Sequence, residues 1–329
     1  MPGKSPWSAR VGQTFKALFC YTPILIVIII TLLVACSEVE SSPAGEKLQG
    51  KIAERYPLLS ESPLGSATFT SLPEDILVRS GDVTVTSQDI AEEIAKSNPN
   101  IRSQLEENAF FILEQKFTER VLFSEARNSL AAEGRNVLEL PDNEIIQIFI
   151  AELVDDITPT AEEMSDFYAA NRELMGGMPY DRVKEQIEMF LQQQKQQEFV
   201  NDYIRNILQV REIEISAIWS AERIAVALDN GVDNARKNGR PTMVNFGSDS
   251  CVPCQMMIPA REAVKEKFDG KADVVYVHTD REQILSARYG IQSIPTLIFF
   301  DQDGNEVHRH VGIMEQQEME EWLNSILES

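Results

Sequence analysis

Histidine and cysteine are scarce in this chain of 329 residues, which has three histidines and four cysteines. A structural zinc site needs four side-chain ligands. His308 and His310 share one face of a predicted strand, with no further ligands beside them, and His278 is predicted to end another strand. We therefore predict no metal site and no cofactor.

Basic residues are also in short supply. Lysine and arginine number 30 against 52 aspartates and glutamates, so the formal net charge is −22. Proteins that bind nucleic acid or anionic membrane surfaces rely on positive charge. The composition argues against both as the main partner, and we interpret the acidic surplus simply as an aid to solubility.

The N-terminus has the pattern of an export signal. Three basic residues precede an almost entirely apolar run over 17–35, which contains Cys20, and small residues stand just ahead of Cys36. This order is typical of a secretory signal. Leu33-Val34-Ala35-Cys36 resembles the site at which a bacterial lipoprotein signal is cut before a lipid-modified cysteine. An uncleaved signal anchor is the alternative, because a run of this length nearly spans a bilayer. Both interpretations place the remaining chain in the periplasm, at a membrane.

Beyond that segment the chain has only two cysteines, Cys251 and Cys254. They follow an apolar run over 243–246, which predicts a buried strand, and open the stretch 254–268, which predicts an amphipathic helix. Such a pair is typical of a redox dithiol. The positive end of the helix would stabilise a Cys251 thiolate, and Cys254, one turn later, could close a disulfide. Half of a zinc site and an inert structural disulfide are the alternatives.

Two regions precede the cysteine pair. Residues 37–72 are rich in serine, proline and glycine without clear periodicity, which predicts a flexible tether. From 73 to 212 a small hairpin around Gly81 is followed by helical periodicity, with helix caps predicted at Thr86 and Thr160.

Four stretches of this helical region carry a resemblance to a known family. They are VRSGDVTVTSQDI at 78–90, ERVLFSEA at 119–126, TAEE at 160–163 and YDRVKEQI at 180–187. Over about 75–210 the chain resembles the N-terminal module of SurA-type periplasmic chaperones and peptidyl-prolyl isomerases. An isomerase domain commonly lies between the last two helices of that family, but here only residues 175–179 stand there. The resemblance therefore implies a groove for unfolded polypeptide without prolyl isomerisation. A helical dimerisation or spacer module is the alternative.

From residue 218 onward helices and strands alternate, which predicts an α/β fold. The cysteine pair follows the first clear strand, and Ser293-Ile294-Pro295-Thr296 precedes the third. Over 218–329 this combination resembles the thioredoxin superfamily. The resemblance implies that Pro295 is in the cis form and faces the dithiol. Ile294 and Pro295 would then hold the substrate backbone beside Cys251. An ordinary proline at the start of a strand is the alternative.

The resemblance also implies a reaction. A reduced Cys251 attacks a substrate disulfide, and Cys254 then attacks the mixed disulfide and releases the reduced substrate. The two residues between them, Val252 and Pro253, include no histidine that would stabilise the thiolate further. That absence favours reduction or isomerisation over oxidation.

Three positions depart from the usual thioredoxin pattern. Asn245 stands where that family has a buried acid, Ser250 replaces an aromatic residue and Gln255 replaces a lysine. Asn245 cannot act as a base for Cys254. With a positive charge missing and Asp249 adding a negative one, we expect the pKa of the Cys251 thiol to lie above that of a standard thioredoxin.

These observations predict a multidomain protein. It has a signal at 1–36, a tether at 37–72, an all-α SurA-N-like helical domain at 73–212 and an α/β thioredoxin-like domain at 218–329. The first hypothesis is a membrane-tethered thiol-disulfide oxidoreductase that acts on protein disulfides, binds unfolded polypeptide and is recycled by a redox partner in the membrane or periplasm. The second is a holdase-type periplasmic chaperone that uses the thioredoxin fold mainly as a scaffold.

Overall fold

The computed structural model describes residues 48–136, 140–172 and 175–329. The predicted signal with Cys20 and Cys36, and the first part of the predicted tether, lie outside these ranges. None of the helices within them has both the length and the apolar composition that a membrane crossing requires.

The described residues form eight strands in two four-stranded sheets. The strands are β1 Thr68–Thr70, β2 Ile76–Ser80, β3 Val83–Thr86, β4 Glu214–Ser216, β5 Thr242–Gly247, β6 Asp273–His278, β7 Thr296–Phe300 and β8 Glu306–Val311. The first sheet has the order β1-β4-β2-β3 and the second β6-β5-β7-β8. In the second sheet β5 is parallel to β6 and antiparallel to β7, which in turn is antiparallel to β8.

Thirteen α-helices accompany these sheets in the described ranges. They are α1 Ile52–Arg55, α2 Ser87–Lys96, α3 Arg102–Glu107, α4 Ala109–Ala132, α5 Asp142–Leu153, α6 Ala161–Asn171, α7 Tyr180–Gln209, α8 Ala217–Ala227, α9 Gly231–Arg236, α10 Val252–Met256, α11 Ile258–Lys267, α12 Gln283–Arg288 and α13 Gln316–Glu328. The N-terminal region is therefore mainly helical and the C-terminal region is α/β, as predicted.

The stretch 48–70 is part of the core, and the prediction that it is a flexible tether is wrong. Ile52, Leu64 and Phe69 are each less than 5% exposed, and β1 pairs in parallel with β4. The physical reason is that single apolar residues are spaced among serines, prolines and glycines. The mean composition of the stretch does not reveal these isolated apolar residues, although the side chain of each is buried.

Local signals in the helical region are confirmed. The predicted hairpin is β2 and β3, and the capping boxes at Thr86 and Thr160 both form. The apolar spacing over 101–132 predicts one helix, but this stretch is divided into α3 and α4 at Asn108, whose side-chain amide donates to the Gln104 carbonyl. A side chain that bonds the preceding turn competes with the helical backbone.

The second sheet carries an apolar layer on each face. Successive residues of a strand point to opposite sides. Met243 accordingly packs with Phe299 on one face, whereas Val244 and Phe246 pack on the other. The sequence over 221–238 predicts one helix, but two are present, α8 and α9. The break comes at Asn230, whose side chain accepts the first free N–H groups of α9.

Arg288 joins the helical region to the α/β region. Its guanidinium donates to Asn108 Oδ1 at 3.2 Å, to the Ala227 carbonyl at 2.9 Å and to Asp233 Oδ2 at 2.9 Å. It also lies 3.7 Å from the ring centre of Phe111. Because these partners come from both regions, the two are held together by a buried, charged contact.

Close to this contact, α4 buries a carboxyl group. Glu114 is 5% exposed, and its Oε1 accepts the Leu64 N–H at 3.2 Å. Burial raises the pKa of Glu114 to about 7, although the hydroxyl of Ser62, the Leu64 N–H and the charge of Arg288 favour the ionised form. The carboxyl therefore titrates near neutral pH in the folded protein.

This shift predicts that the protein loses stability as the pH rises. Between pH 4.5 and about 7 the folded state holds the Glu114 proton more tightly than the unfolded state. The free energy of unfolding should then fall across that window by on the order of 3 kcal/mol from this group. Urea unfolding at pH 5 and pH 7.5 measures the change. Glu114→Gln keeps an oxygen acceptor and cannot ionise, so the variant should lack this part of the loss. An equal loss in both proteins would contradict the assignment.

Candidate active site

The two cysteines lie where β5 ends and α10 begins. Cys251 is the N-cap of α10, and its Sγ accepts the backbone N–H of Cys254 at 3.2 Å. The two sulfurs are joined in a disulfide with a Cα–Cα distance of 5.2 Å. Cys251 is partly exposed, whereas Cys254 is only 3% exposed. A substrate can therefore reach the first sulfur, and the second is positioned to attack it from within.

The helix predicted over 254–268 consists of α10 and α11, which divide at Met257. Pro259 in the first turn of α11 has no backbone N–H, so it cannot continue the hydrogen bonding of α10. The break leaves the dithiol on a short first helix, in which the Cys254 N–H points towards Cys251 Sγ.

A glycine allows β5 to approach the buried sulfur. A Cβ atom at Gly247 would lie 3.2 Å from both Cβ and Sγ of Cys254 and 3.2 Å from Cε2 of Tyr276. Ordinary carbon contacts are about 3.5–4.0 Å. Gly247 therefore leaves the space in which Cys254 and Tyr276 come close to the strand.

Pro295 lies at the same end of the sheet as the dithiol. The Ile294–Pro295 peptide bond is cis, as the resemblance implied. The antiparallel register pairs Thr296 with Phe246, so Pro295 lies beside the end of β5. Its carbonyl accepts the Gly312 N–H at 2.8 Å. Pro295 is buried and Ile294 is partly exposed, which leaves Ile294 at the surface next to a cleft of about 340 Å³.

The loop before Cys251 is held by a cluster of charged and polar side chains that the sequence did not reveal. Asp249 Oδ2 lies 3.0 Å from His278 Nε2 and 3.1 Å from Arg281 Nη2. Gln255 donates to the Asp249 carbonyl at 2.6 Å. His278 was predicted only as a residue at a strand end, and it does end β6. Its contact with Asp249 depends on the parallel pairing of β5 with β6, for which the local sequence carries no signal.

The other two histidines have contacts on β8 and with α13 and the loop between them. His308 stacks on Trp322 with ring centres 3.7 Å apart, and His310 Nε2 lies 3.1 Å from the Ile313 carbonyl. Across the described ranges no cluster of three or more His, Cys, Asp or Glu side chains is arranged to hold a metal ion.

A dithiol at a helix start, an accessible first sulfur and a cis-proline beside it define a thioredoxin-fold thiol-disulfide oxidoreductase. Residues 228–327 match the family model described as a thioredoxin-like domain. The chain is 34% identical to the thioredoxin of Porphyra purpurea over 27% of this chain and 83% of that relative. It is also 34% identical to a thioredoxin of Staphylococcus epidermidis over 32% of this chain and 98% of the relative. We conclude that the chain belongs to the thioredoxin family.

A solved structure is also similar. A mutant thioredoxin from Halobacterium salinarum NRC-1 is 31% identical, over 30% of this chain and 84% of its own, with a TM-score of 0.28. The two curated thioredoxins each match less than a third of this protein, and the family model matches residues in the α/β region only. The helical region is thus an addition to a thioredoxin-like unit.

Proposed function

We propose that this protein is a membrane-tethered thiol-disulfide oxidoreductase that works in the periplasm. It reduces or isomerises protein disulfides through Cys251 and Cys254, and its helical region binds unfolded polypeptide. The observation that carries the redox part is the pairing of an accessible Cys251 with a buried Cys254. Each reduction leaves the pair oxidised, so turnover requires a partner in the membrane or periplasm that returns two electrons.

The surroundings of the dithiol suit a polypeptide substrate. Val252 and Met256 on α10 are 65% and 66% exposed, and Ile313 is 43% exposed. Ile313 follows Gly312, which is hydrogen-bonded to Pro295. Apolar side chains left in water near a reactive sulfur are typical of a surface that receives another apolar group. Unfolded proteins present such groups next to their cysteines.

A cavity in the helical region supports polypeptide binding there. It measures about 800 Å³ and lies between α4, α7 and the loop 60–66. Most of the exposed area of its wall is apolar, with Phe111 and Leu208 among the lining residues, and charged side chains such as Glu114, Glu119 and Arg205 also line it. Cavities of this size, apolar with a few polar groups, are typical of binding sites. The helix α7 also leaves apolar side chains in water at Met189, Phe190 and Phe199.

The placement at a membrane is supported by the sequence pattern of the first 36 residues. A basic start, an apolar run and small residues before Cys36 are typical of export and lipid attachment. Export also suits the chemistry, because disulfides form and persist outside the reducing cytoplasm.

One variant separates the redox and binding activities. Cys251→Ser should no longer reduce protein disulfides but should still suppress the aggregation of a reduced, denatured protein. Cys254→Ala is a second variant outside the helical region and should also keep this suppression. Wild-type protein that suppresses aggregation without any disulfide exchange would instead favour the holdase chaperone. Wild-type protein without an effect on aggregation would contradict the binding role of the helices.

A further inference from the structure

A buried polar patch lies beneath Cys254. Asn245 and Gly247 are two residues apart on β5, so they face the same side of the sheet. That side meets Cys254, since the position of a Gly247 Cβ is 3.2 Å from its Sγ. Asn245 is 1% exposed, and its Nδ2 has no hydrogen-bond partner among the described protein atoms. A buried amide donor without an acceptor costs about 1–3 kcal/mol, so this one is an unused donor on the side of Cys254.

A permanent positive charge reaches the same place from α11. Arg261 Nη1 lies 3.4 Å from Asn245 Oδ1, and its Cζ lies 4.3 Å from the ring centre of Tyr276. Tyr276 Cε2 and Cys254 Sγ are each 3.2 Å from the same Gly247 Cβ position. The Arg261 side chain is only 12% exposed. Its guanidinium is therefore held by a ring and an amide on the side of β5 that meets Cys254, with little of the Arg261 side chain in water.

This arrangement addresses a difficulty in the resolving step. Cys254 must lose a proton before it can attack, and burial opposes the formation of a thiolate. Asn245 cannot accept that proton. A nearby cation lowers the free energy of the thiolate instead, and the effect is largest where water is excluded.

We propose that Arg261 is a positioning residue that stabilises the thiolate of Cys254, with Asn245 orienting the guanidinium through its Oδ1. The Cys254 thiol gives its proton to water, and the thiolate attacks Cys251 Sγ. The bond between Cys251 and the substrate sulfur breaks, and the substrate leaves as a thiolate that takes up a proton. This inference rests on the proposed role of Cys254 as the resolving thiol.

Other charged groups surround the site and do not replace Arg261. Glu262, beside it on α11, pairs with Arg261 at 3.0 Å but is 55% exposed. Asp249 is shared with His278 and Arg281 in the loop before Cys251. Among the described residues, Arg261 is thus the cation held against the face of β5 that meets Cys254.

A titration of Cys254 tests the inference directly. In a Cys251→Ser background, the thiolate absorbance of Cys254 is followed against pH, and the signal of a Cys251→Ser/Cys254→Ser variant is subtracted to remove Cys20 and Cys36. Adding Arg261→Met should raise the pKa of Cys254 by about one unit. Arg261→Lys should keep the pKa of Cys254 close to the wild-type value, because it keeps the charge. A pKa that does not change in a folded Arg261→Met variant would overturn the proposal.

A control on the same helix separates a local from a general charge effect. Lys265 is exposed and lies one turn further along α11. Lys265→Met should leave the pKa of Cys254 unchanged, and a shift as large as that of Arg261→Met would also overturn the proposal.

Reduction of insulin is measured separately in otherwise unmodified protein. If wild-type protein does not reduce insulin while the titration still depends on Arg261, the proposed function fails and this inference stands.

Discussion

Replacing Cys251 with serine is expected to lower the rate of protein disulfide reduction by more than about a thousandfold. The attacking species is a thiolate, and a serine hydroxyl does not ionise near neutral pH. Cys251 is also the sulfur of the pair that a substrate can reach, because Cys254 is only 3% exposed. Precipitation of insulin chains in the presence of dithiothreitol measures the rate.

The matched variant Cys254→Ser should behave differently. It keeps the attacking Cys251 and lacks the thiol that releases the substrate, so a mixed disulfide between protein and substrate should accumulate. Mass spectrometry under non-reducing conditions detects this adduct, and dithiothreitol should remove it. Full activity of Cys251→Ser, or an adduct that forms equally in both variants, would contradict the assigned roles.

Replacing Arg288 with methionine should lower the free energy of unfolding by about 3–5 kcal/mol. The change keeps much of the side-chain volume but removes the cation that bonds Asp233, which is fully buried. Asp233 keeps a weaker contact with Arg236 at 3.5 Å and the Tyr289 hydroxyl at 2.6 Å, which places the expected loss towards the lower end. Urea unfolding followed by circular dichroism gives the value.

The control for this variant is an arginine in exposed ion pairs. Arg205 has a side chain that is 47% exposed and pairs with Asp202, which is 56% exposed. Arg205→Met should cost less than about 1 kcal/mol. A similarly small loss for Arg288→Met would contradict the stabilising role assigned to the buried Arg288 contacts.

Local patterns predicted the parts of the fold that depend on neighbours in sequence. The capping boxes at Thr86 and Thr160, the β2–β3 hairpin and the helix α7 all formed as their residues indicated. The succession of strands and helices along the chain around the dithiol was also predicted, because the alternation of strand and helix is a local signal. The cysteine pair and Pro295 came together at one end of the second sheet.

Contacts between distant segments were not predictable in the same way. The stretch 48–70 was predicted to be a tether because its buried apolar residues, such as Ile52 and Phe69, are isolated among turn-forming residues. Arg261 lies on a charged helix face in the sequence, and only the packing of α11 on the sheet brings it to Asn245. Such placements depend on which elements pack together, and one sequence alone does not carry that information.

The reduction potential of the Cys251–Cys254 pair tests the central claim most directly. Equilibration of the full chain with redox buffers, followed by alkylation of free thiols and mass spectrometry, gives the value. We predict a potential between about −270 and −180 mV, the range of thioredoxin and disulfide isomerase. A value below about −300 mV would identify an inert structural disulfide, and one near −120 mV a strong oxidant. Either result would contradict the proposed role as a reductase or isomerase.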